Sequence, residues 1–369
     1  MYVFAILLTG LLLAYANGAN DNFKGVATLF GSGTTDRKRA LLWATLTTLL
    51  GSLCAIWLAG ELLQRFSGKG IIPNELTANP VFATAIAVGA GLTVLLATRL
   101  GMPVSTTHAL VGALTGAALA STAPIAWPTL LVKFFVPLLL SPVVAVGATI
   151  LLYPAFRWFR AALGLSKASC FCAGVETVEV VPLLTPVLAA ARAETLSVSL
   201  GTPVSCEDRY EGRLLGVNCA KALDGGHYLT AGLMSFARGL NDTPKIAALF
   251  LVAPGISPFA ALALCGGAIA AGGLFNSRRV AETMSHRITK MNAGQGFTAN
   301  LVTAITVIFA SGWGLPVSTT HVSCGSLFGL GTITGQAEWR GIAKILLAWV
   351  ITLPVAATIA GLSFRLLQS

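Results

Sequence analysis

Apolar runs alternate along this chain with short polar stretches rich in Gly, Asn, Asp, Ser and Thr. The runs lie at 2–17, 40–62, 80–98, 107–121, 130–153, 228–240, 246–260, 261–275, 297–311, 319–333 and 342–362. A helix that crosses the hydrocarbon of a bilayer needs about 20 apolar residues, so the pattern predicts an all-α integral membrane protein of about 10–12 membrane segments. Several runs are too short for one clean crossing. The short ones cluster around hydroxyl-rich and Asn-Asp segments, which predicts broken or re-entrant helices around a site at membrane depth.

The polar segments repeat. Pro-Val-Ser-Thr-Thr-His occupies 103–108 and again 316–321, an offset of 213 residues. Gly-Ala-Asn-Asp-Asn-Phe-Lys at 18–24 corresponds to Gly-Leu-Asn-Asp-Thr-Pro-Lys at 239–245, an offset of 221, and Thr-Ala-Asn at 77–79 matches 298–300 at that same offset. Each half thus offers one Asn-Asp element followed by one Ser-Thr-Thr element, as an internal duplication would. The expected organisation is a first transmembrane repeat at 1–156, a linker at 157–225 and a second repeat at 226–369.

Composition supports a lipid solvent, because 55% of the 369 residues are hydrophobic and only 10% charged. The formal charge of +10 does not suggest nucleic acid, since the basic residues form no arm or helix face with interleaved aromatics. They flank apolar runs instead: Arg37, Lys38 and Arg39; Arg157 and Arg160; Arg278, Arg279, Arg287 and Lys290. Basic loops face the cytoplasm. Counting crossings from them places both termini outside and inverts the second half relative to the first, provided that 246–275 is a single interrupted crossing. The first apolar run lacks the basic leader of a signal peptide and reads as a retained helix.

Between the halves the composition changes. Strand-like stretches at 178–181 and 196–199 predict a cytoplasmic subdomain with some β structure. It carries Cys170, Cys172, Cys206 and Cys219. A reducing compartment argues against stable disulfides, leaving ordinary thiols or, on weak spacing, a zinc cluster of those four.

The duplicated elements carry the chemistry. Proline followed by Ser and Thr reads as a helix start, with Ser105 and Ser318 as caps. The first N–H groups of a helix have no intrahelical partner, and in lipid they must face protein, water or a ligand. Those groups and the hydroxyls of Ser105, Thr106, Thr107, Ser318, Thr319 and Thr320 suit an oxyanion. The plainer alternative is that the hydroxyls bond their own helices. Asp21 and Asp242 are intramembrane acids, which line ion pathways or proton relays. Beside Asn20 and Asn241 they offer hard oxygens to a small cation, or accept a proton from an anion; a helix cap is the structural alternative. His108 and His321 position the hydroxyls, carry a proton or simply pack.

With these motifs in view, the chain resembles the inorganic phosphate transporter family, which includes cation-coupled phosphate permeases. The resemblance rests on GANDNFKG, GLNDTPKI and both PVSTTH segments, and covers everything except the linker. It implies phosphate held by Asn20, Asp21, Ser105, Thr106, Thr107, Asn241, Asp242, Ser318, Thr319 and Thr320, and dimer formation in some members. One feature departs from the sodium-coupled pattern. An amide is expected three residues after each aspartate, where this chain has Lys24 and Lys245. An ammonium there repels sodium and attracts phosphate, or pairs with the aspartate, so proton coupling is favoured over sodium.

The expected function is therefore a symporter in a bacterial-type cytoplasmic membrane, importing inorganic phosphate by alternating access with H+ or Na+ as coupling ion and no other cofactor. A permease for sulfate or another tetrahedral oxyanion is the alternative, and an anion channel a more distant one. No nucleophile-base-orienter arrangement suggests an enzyme, and no Gly-x-x-x-x-Gly-Lys-Ser/Thr loop suggests ATP coupling.

Overall fold

The computed structural model describes residues 2–166, 169–180, 191–202 and 214–368. In the first half the long helices are α1 (Tyr2–Asp21), α2 (Arg37–Leu58), α3 (Pro80–Arg99), α4 (Thr106–Ala120) and α5 (Val136–Ala162). In the second half they are α6 (Cys219–Phe250), α7 (Pro258–Asn276), α8 (Ala293–Gly312), α9 (Thr319–Thr334) and α10 (Trp339–Gln368). Two compact units result, one of Met1–Tyr153 with His227–Ser369 and one of Pro154–Gly226.

Seven helices among the described residues are long and apolar enough to cross a membrane. The remaining long elements fall short for identifiable reasons. Helices α4 and α9 have only 15 and 16 residues, because each begins at its Ser-Thr-Thr segment. Helix α6 is long but carries Arg238, Asp242 and Lys245 inside its apolar face.

Local chemistry sets the helix starts. Asp36 accepts a hydrogen bond from Arg39 N at 3.0 Å and caps α2; this exposed carboxyl is held below the usual carboxylate range chiefly by that bond. Asn79 caps α3 by accepting from Val81 N at 2.8 Å. Asn292 caps α8 reciprocally with Gln295, which satisfies otherwise orphaned donors at that end.

Two sequence expectations change here. The Thr-Ala-Asn match is not structurally equivalent, because Asn79 caps α3 whereas Asn300 lies inside α8 and donates to Thr28 Oγ1 at 2.7 Å. The true counterpart of Asn79 is Asn292, at the offset of 213 that also relates the hexapeptides. Nor is 246–275 one helix broken in the middle: its first residues end α6, which continues through Pro244 to Phe250, and α7, from Pro258, is the one helix that starts in it, so the count of crossings taken from the basic loops is unchanged. The two Asn-Asp elements therefore differ. Helix α1 stops at Asp21 and passes into a 3-10 turn, Asn22–Gly25, while α6 runs on past Asp242. Gly25 occupies the position of Ile246, and a Cβ there would come within 2.0 Å of Ser235 Oγ.

Small residues let the helices that carry these elements sit close together. A Cβ on Gly18 of α1 would meet Ile269 O of α7 at 1.9 Å, and one on Gly272 of α7 would meet Tyr15 O at 1.9 Å. The same relation recurs between α6 and α2, where Gly239 faces Thr48 O at 2.1 Å and Gly51 faces Phe236 O at 2.0 Å. Close backbone approach of this kind is how helices associate in lipid without a hydrophobic driving force. Helix α10 packs on α4 and α3, and α1 packs on α3 as well as α7.

In the second unit, β1 (Cys170–Val180) pairs antiparallel with β2 (Ala191–Gly201) and β3 (Leu214–Asn218), giving the order β2-β1-β3. The β structure expected of the linker is present. The four-cysteine zinc cluster finds no support among the described residues. Cys170 and Cys219 are free thiols, Cys206 lies outside the described residues, and Cys172 is disulfide-bonded. A disulfide sulfur offers no thiolate to a metal, and among the described residues no group of three or more His, Cys, Asp or Glu is placed to hold one. The bonded Cys172 also departs from the reduced thiols expected of a cytoplasmic segment.

Candidate functional site

Both hexapeptides start helices as their sequence predicts. Ser105 Oγ accepts from His108 N at 3.1 Å and Ser318 Oγ accepts from His321 N at 3.1 Å. The two serine hydroxyls are thus occupied as caps. The threonines that follow reach elsewhere. Thr106 Oγ1 donates to Asp21 Oδ2 at 3.3 Å, and Thr319 Oγ1 donates to Asp242 Oδ2 at 3.1 Å. Thr107 Oγ1 donates to Val317 O at 3.4 Å, and Thr320 Oγ1 donates to Val104 O at 2.8 Å. The first pair of contacts stays within a half; the second pair crosses to the other hexapeptide.

The asparagines tie both Asn-Asp elements to this frame. Asn20 donates to Thr98 Oγ1 at 2.9 Å and Met102 O at 3.0 Å, while its own oxygen accepts from Val104 N at 3.1 Å. Asn241 donates to Asp242 Oδ1 at 2.9 Å and Val317 O at 3.2 Å, and accepts from Ser311 Oγ at 3.1 Å.

Each lysine enters an oxygen cage built from both halves. Lys24 Nζ donates to Asn20 Oδ1 at 2.9 Å, Val104 O at 2.9 Å and Thr320 Oγ1 at 2.6 Å, and it pairs with Asp21 Oδ1. Lys245 Nζ donates to Thr107 Oγ1 at 2.8 Å and Val317 O at 2.6 Å, lies 3.5 Å from Asp242 Oδ1, and sits 5.7 Å from the centre of the Phe66 ring. The carboxylates and ammoniums are no more than 3% exposed. At such burial an ion is tolerated only when paired and fully hydrogen-bonded. The ten residues that the resemblance implies for phosphate and the two lysines therefore lie together in one buried cluster.

Sequence reasoning passed over three further members. Arg238, 1% exposed, lies one helical turn before Asp242. It donates through Nη1 to Asn17 Oδ1 and through Nη2 to Asn22 Oδ1, both at 3.2 Å. Asn17 in turn donates to Asp21 Oδ2 at 2.9 Å, to Thr106 Oγ1 at 3.0 Å and, at 3.5 Å, to Asp242 Oδ2. Asn17 and Arg238 occupy equivalent repeat positions, 221 apart, so the duplication breaks its symmetry at this point. The available signal was a cation inside the apolar run at 228–240, which in a membrane segment marks a functional position.

The histidines meet as well. Their rings lie 4.3 Å apart, and His321 stacks on Trp349 at 3.7 Å while Trp349 Nε1 donates to Pro103 O at 3.2 Å. His108 Nδ1 and His321 Nε2 have no hydrogen-bond partner among the described residues. The pair packs the two helix starts against each other.

A mostly helical chain with spanning segments and a buried cluster of paired charges and capped helix starts is a multi-pass integral membrane protein built to handle ions. The chain belongs to the phosphate transporter family, whose profile matches residues 17–360. A protein of Rhizobium meliloti named as a probable low-affinity inorganic phosphate transporter is 28% identical, with 97% of this chain and 94% of its own length aligned. The chloroplastic inorganic phosphate transporter 2-1 of Arabidopsis thaliana is 27% identical over 97% of this chain and 70% of its own. Among solved structures, one described as the sodium-dependent phosphate transporter superposes with a TM-score of 0.76, covering 100% of this chain and 99% of its own, at 22% identity. That likeness establishes the fold. The family is one of transporters.

Proposed function

We propose that this protein is a secondary active transporter that imports inorganic phosphate across the cytoplasmic membrane by alternating access, coupled to protons rather than sodium. The observation that carries the proposal is the reciprocal crossing of the two halves: Lys24 donates to Thr320 and Lys245 to Thr107. Both Ser-Thr-Thr starts and both Asn-Asp elements are thereby gathered at one place. Helix starts direct N–H groups and positive dipole ends at an anion, and the carboxylates accept protons that a phosphate carries and sulfate at neutral pH lacks. Phosphate is accordingly preferred over sulfate. Reciprocal contacts between duplicated elements of the two halves suit two inverted halves moving against each other around a fixed site. Both termini lie outside and the β-containing unit lies inside, in keeping with the basic loops.

Proton coupling is favoured because each position where a small cation would meet oxygens is filled by a lysine ammonium. Reconstituted vesicles loaded with a pH gradient or a sodium gradient, one at a time, test this with labelled phosphate. Saturable accumulation against the phosphate gradient under the pH gradient alone is expected. Accumulation driven by sodium alone overturns the coupling assignment, and strictly downhill, non-saturating flux overturns the transporter in favour of a channel. Sulfate competing at equal concentration removes the phosphate assignment.

A further inference from the structure

Among the described residues, five Asp, Glu, Lys or Arg side chains are buried, and all five are in this cluster: Asp21, Lys24, Arg238, Asp242 and Lys245. Two of the three cations are cancelled locally. Lys24 pairs with Asp21 and Lys245 with Asp242, and an Asp-Lys pair sums to zero whether the shared proton rests on nitrogen or on oxygen. Arg238 is left over. Guanidinium does not deprotonate in proteins, so the cluster holds one positive charge in excess.

Arg238 has no carboxylate within ion-pair distance among the described residues. Among the described residues its hydrogen bonds go to the neutral amide oxygens of Asn17 and Asn22, and its Nε has no partner there. A buried cation in that condition is costly unless an anion joins it. Asn17 places it beside the anion-facing groups, since the amide whose oxygen receives Arg238 also donates to Asp21, Thr106 and Asp242.

We infer that Arg238 is the charge-selecting residue of the site, matching it to a singly charged, protonated tetrahedral oxyanion, dihydrogen phosphate, in preference to a dianion. This rests on the transport reading and deepens it. The coupling proton then travels on the substrate itself: import of dihydrogen phosphate moves the same atoms and charge as import of hydrogen phosphate with one proton. Guanidinium can offer two parallel donors to such an anion. A site of one excess charge becomes neutral on binding the monoanion and negative on binding sulfate or hydrogen phosphate, which low-dielectric surroundings disfavour.

The test is the KM for labelled phosphate in proteoliposomes, measured from about pH 5.5 to 8 so as to bracket phosphate's second ionisation, for wild type, Arg238→Gln and Arg238→Lys. The other titratable groups at the cluster are Asp21 and Lys24 from α1 and its following turn, Asp242 and Lys245 from α6, and His108, His321 and Cys324 from α4 and α9. Sulfate, a dianion throughout this range, is run as competitor to report their titration. The expected result is a KM that rises with pH in total phosphate yet stays constant when expressed as the monoanion, with sulfate competing weakly at every pH. Arg238→Gln raises that KM by about 10- to 100-fold, the loss of a charge-assisted hydrogen bond, and Arg238→Lys recovers part of it. A KM that is flat or falls as pH rises overturns the inference, as does Arg238→Gln with unchanged KM and only a lower maximal rate. Should Arg238→Gln fail to fold, the wild-type profile and Arg238→Lys decide. No phosphate uptake by wild type under any condition sinks the transport reading too, and so is distinguishable from failure of the charge argument alone.

Discussion

At the scale of single residues, the cluster is held by pairs whose members depend on each other. Removing one partner of a buried ion pair leaves an uncompensated charge and costs about 3–5 kcal/mol, whereas replacing both with neutral groups is often tolerated. Lys24→Met is therefore expected to lower the melting temperature of the detergent-solubilised protein sharply, and Asp21→Asn with Lys24→Met to restore most of it. Neither variant should transport phosphate, and equal destabilisation by the single and double variants would contradict the pairing. The caps make a smaller, separable contribution. Ser318→Ala removes the acceptor for His321 N and should cost about 0.5–2 kcal/mol, read as a modest shift in the same melt. Asp21, Lys24 and the hexapeptides could be recognised in the sequence because each is an oddity, a polar residue in an apolar run, and each occurs twice. Arg238 was as odd but unduplicated. A reading that weighted repetition above charge passed over it, because its counterpart Asn17 is neutral.

Secondary-structure elements were legible where hydrophobic periodicity is unbroken and less so where backbone chemistry decides. The helix starts at Thr106 and Thr319 follow from Pro-Val-Ser. The different fates of the two Asn-Asp segments do not, since Asn22, Phe23 and Gly25 stand where the second copy has Thr243, Pro244 and Ile246, and the copy with the proline is the one that stays helical. Nor does the pairing of Asn79 with Asn292, because the segment between the Asn-Asp and Ser-Thr-Thr elements is eight residues shorter in the second half, and a fixed offset carried across that gap matches the wrong asparagine. The glycine contacts lie wholly beyond sequence reading, as they depend on which helix faces which. They are testable. Gly272→Val places a branched side chain where Tyr15 O already sits, within 1.9 Å of where its Cβ would fall, so α7 must part from α1. Overpacking of this kind costs about 1–3 kcal/mol or more. Gly147→Ala, at a position with open space around it, should leave the melt unchanged; similar losses for both would mean that the close approach is not what holds these helices.

For the molecule as a whole, the halves pack on each other through several helices, and at the site the two oxygen cages join them, since each is completed by a threonine from the other half. On the proposed reading, Lys24→Asn combined with Lys245→Asn empties both cages of ammonium and exposes carboxylate, carbonyl and hydroxyl oxygens, ligands that suit a hard cation. Phosphate uptake by wild type should be indifferent to sodium, and uptake by the double variant should become sodium-stimulated, measured as initial rate against external sodium at fixed pH. A double variant that remains active and still ignores sodium would remove the stand-in role of the lysines. The ammoniums are also bound to the chain, and this has a consequence for energetics. On the proposed reading, a carrier whose counter-ions are anchored in its own helices cannot release them on the far side, so those positions draw no work from a sodium gradient. The same anchoring makes the lysine contacts that bridge the halves independent of external salt.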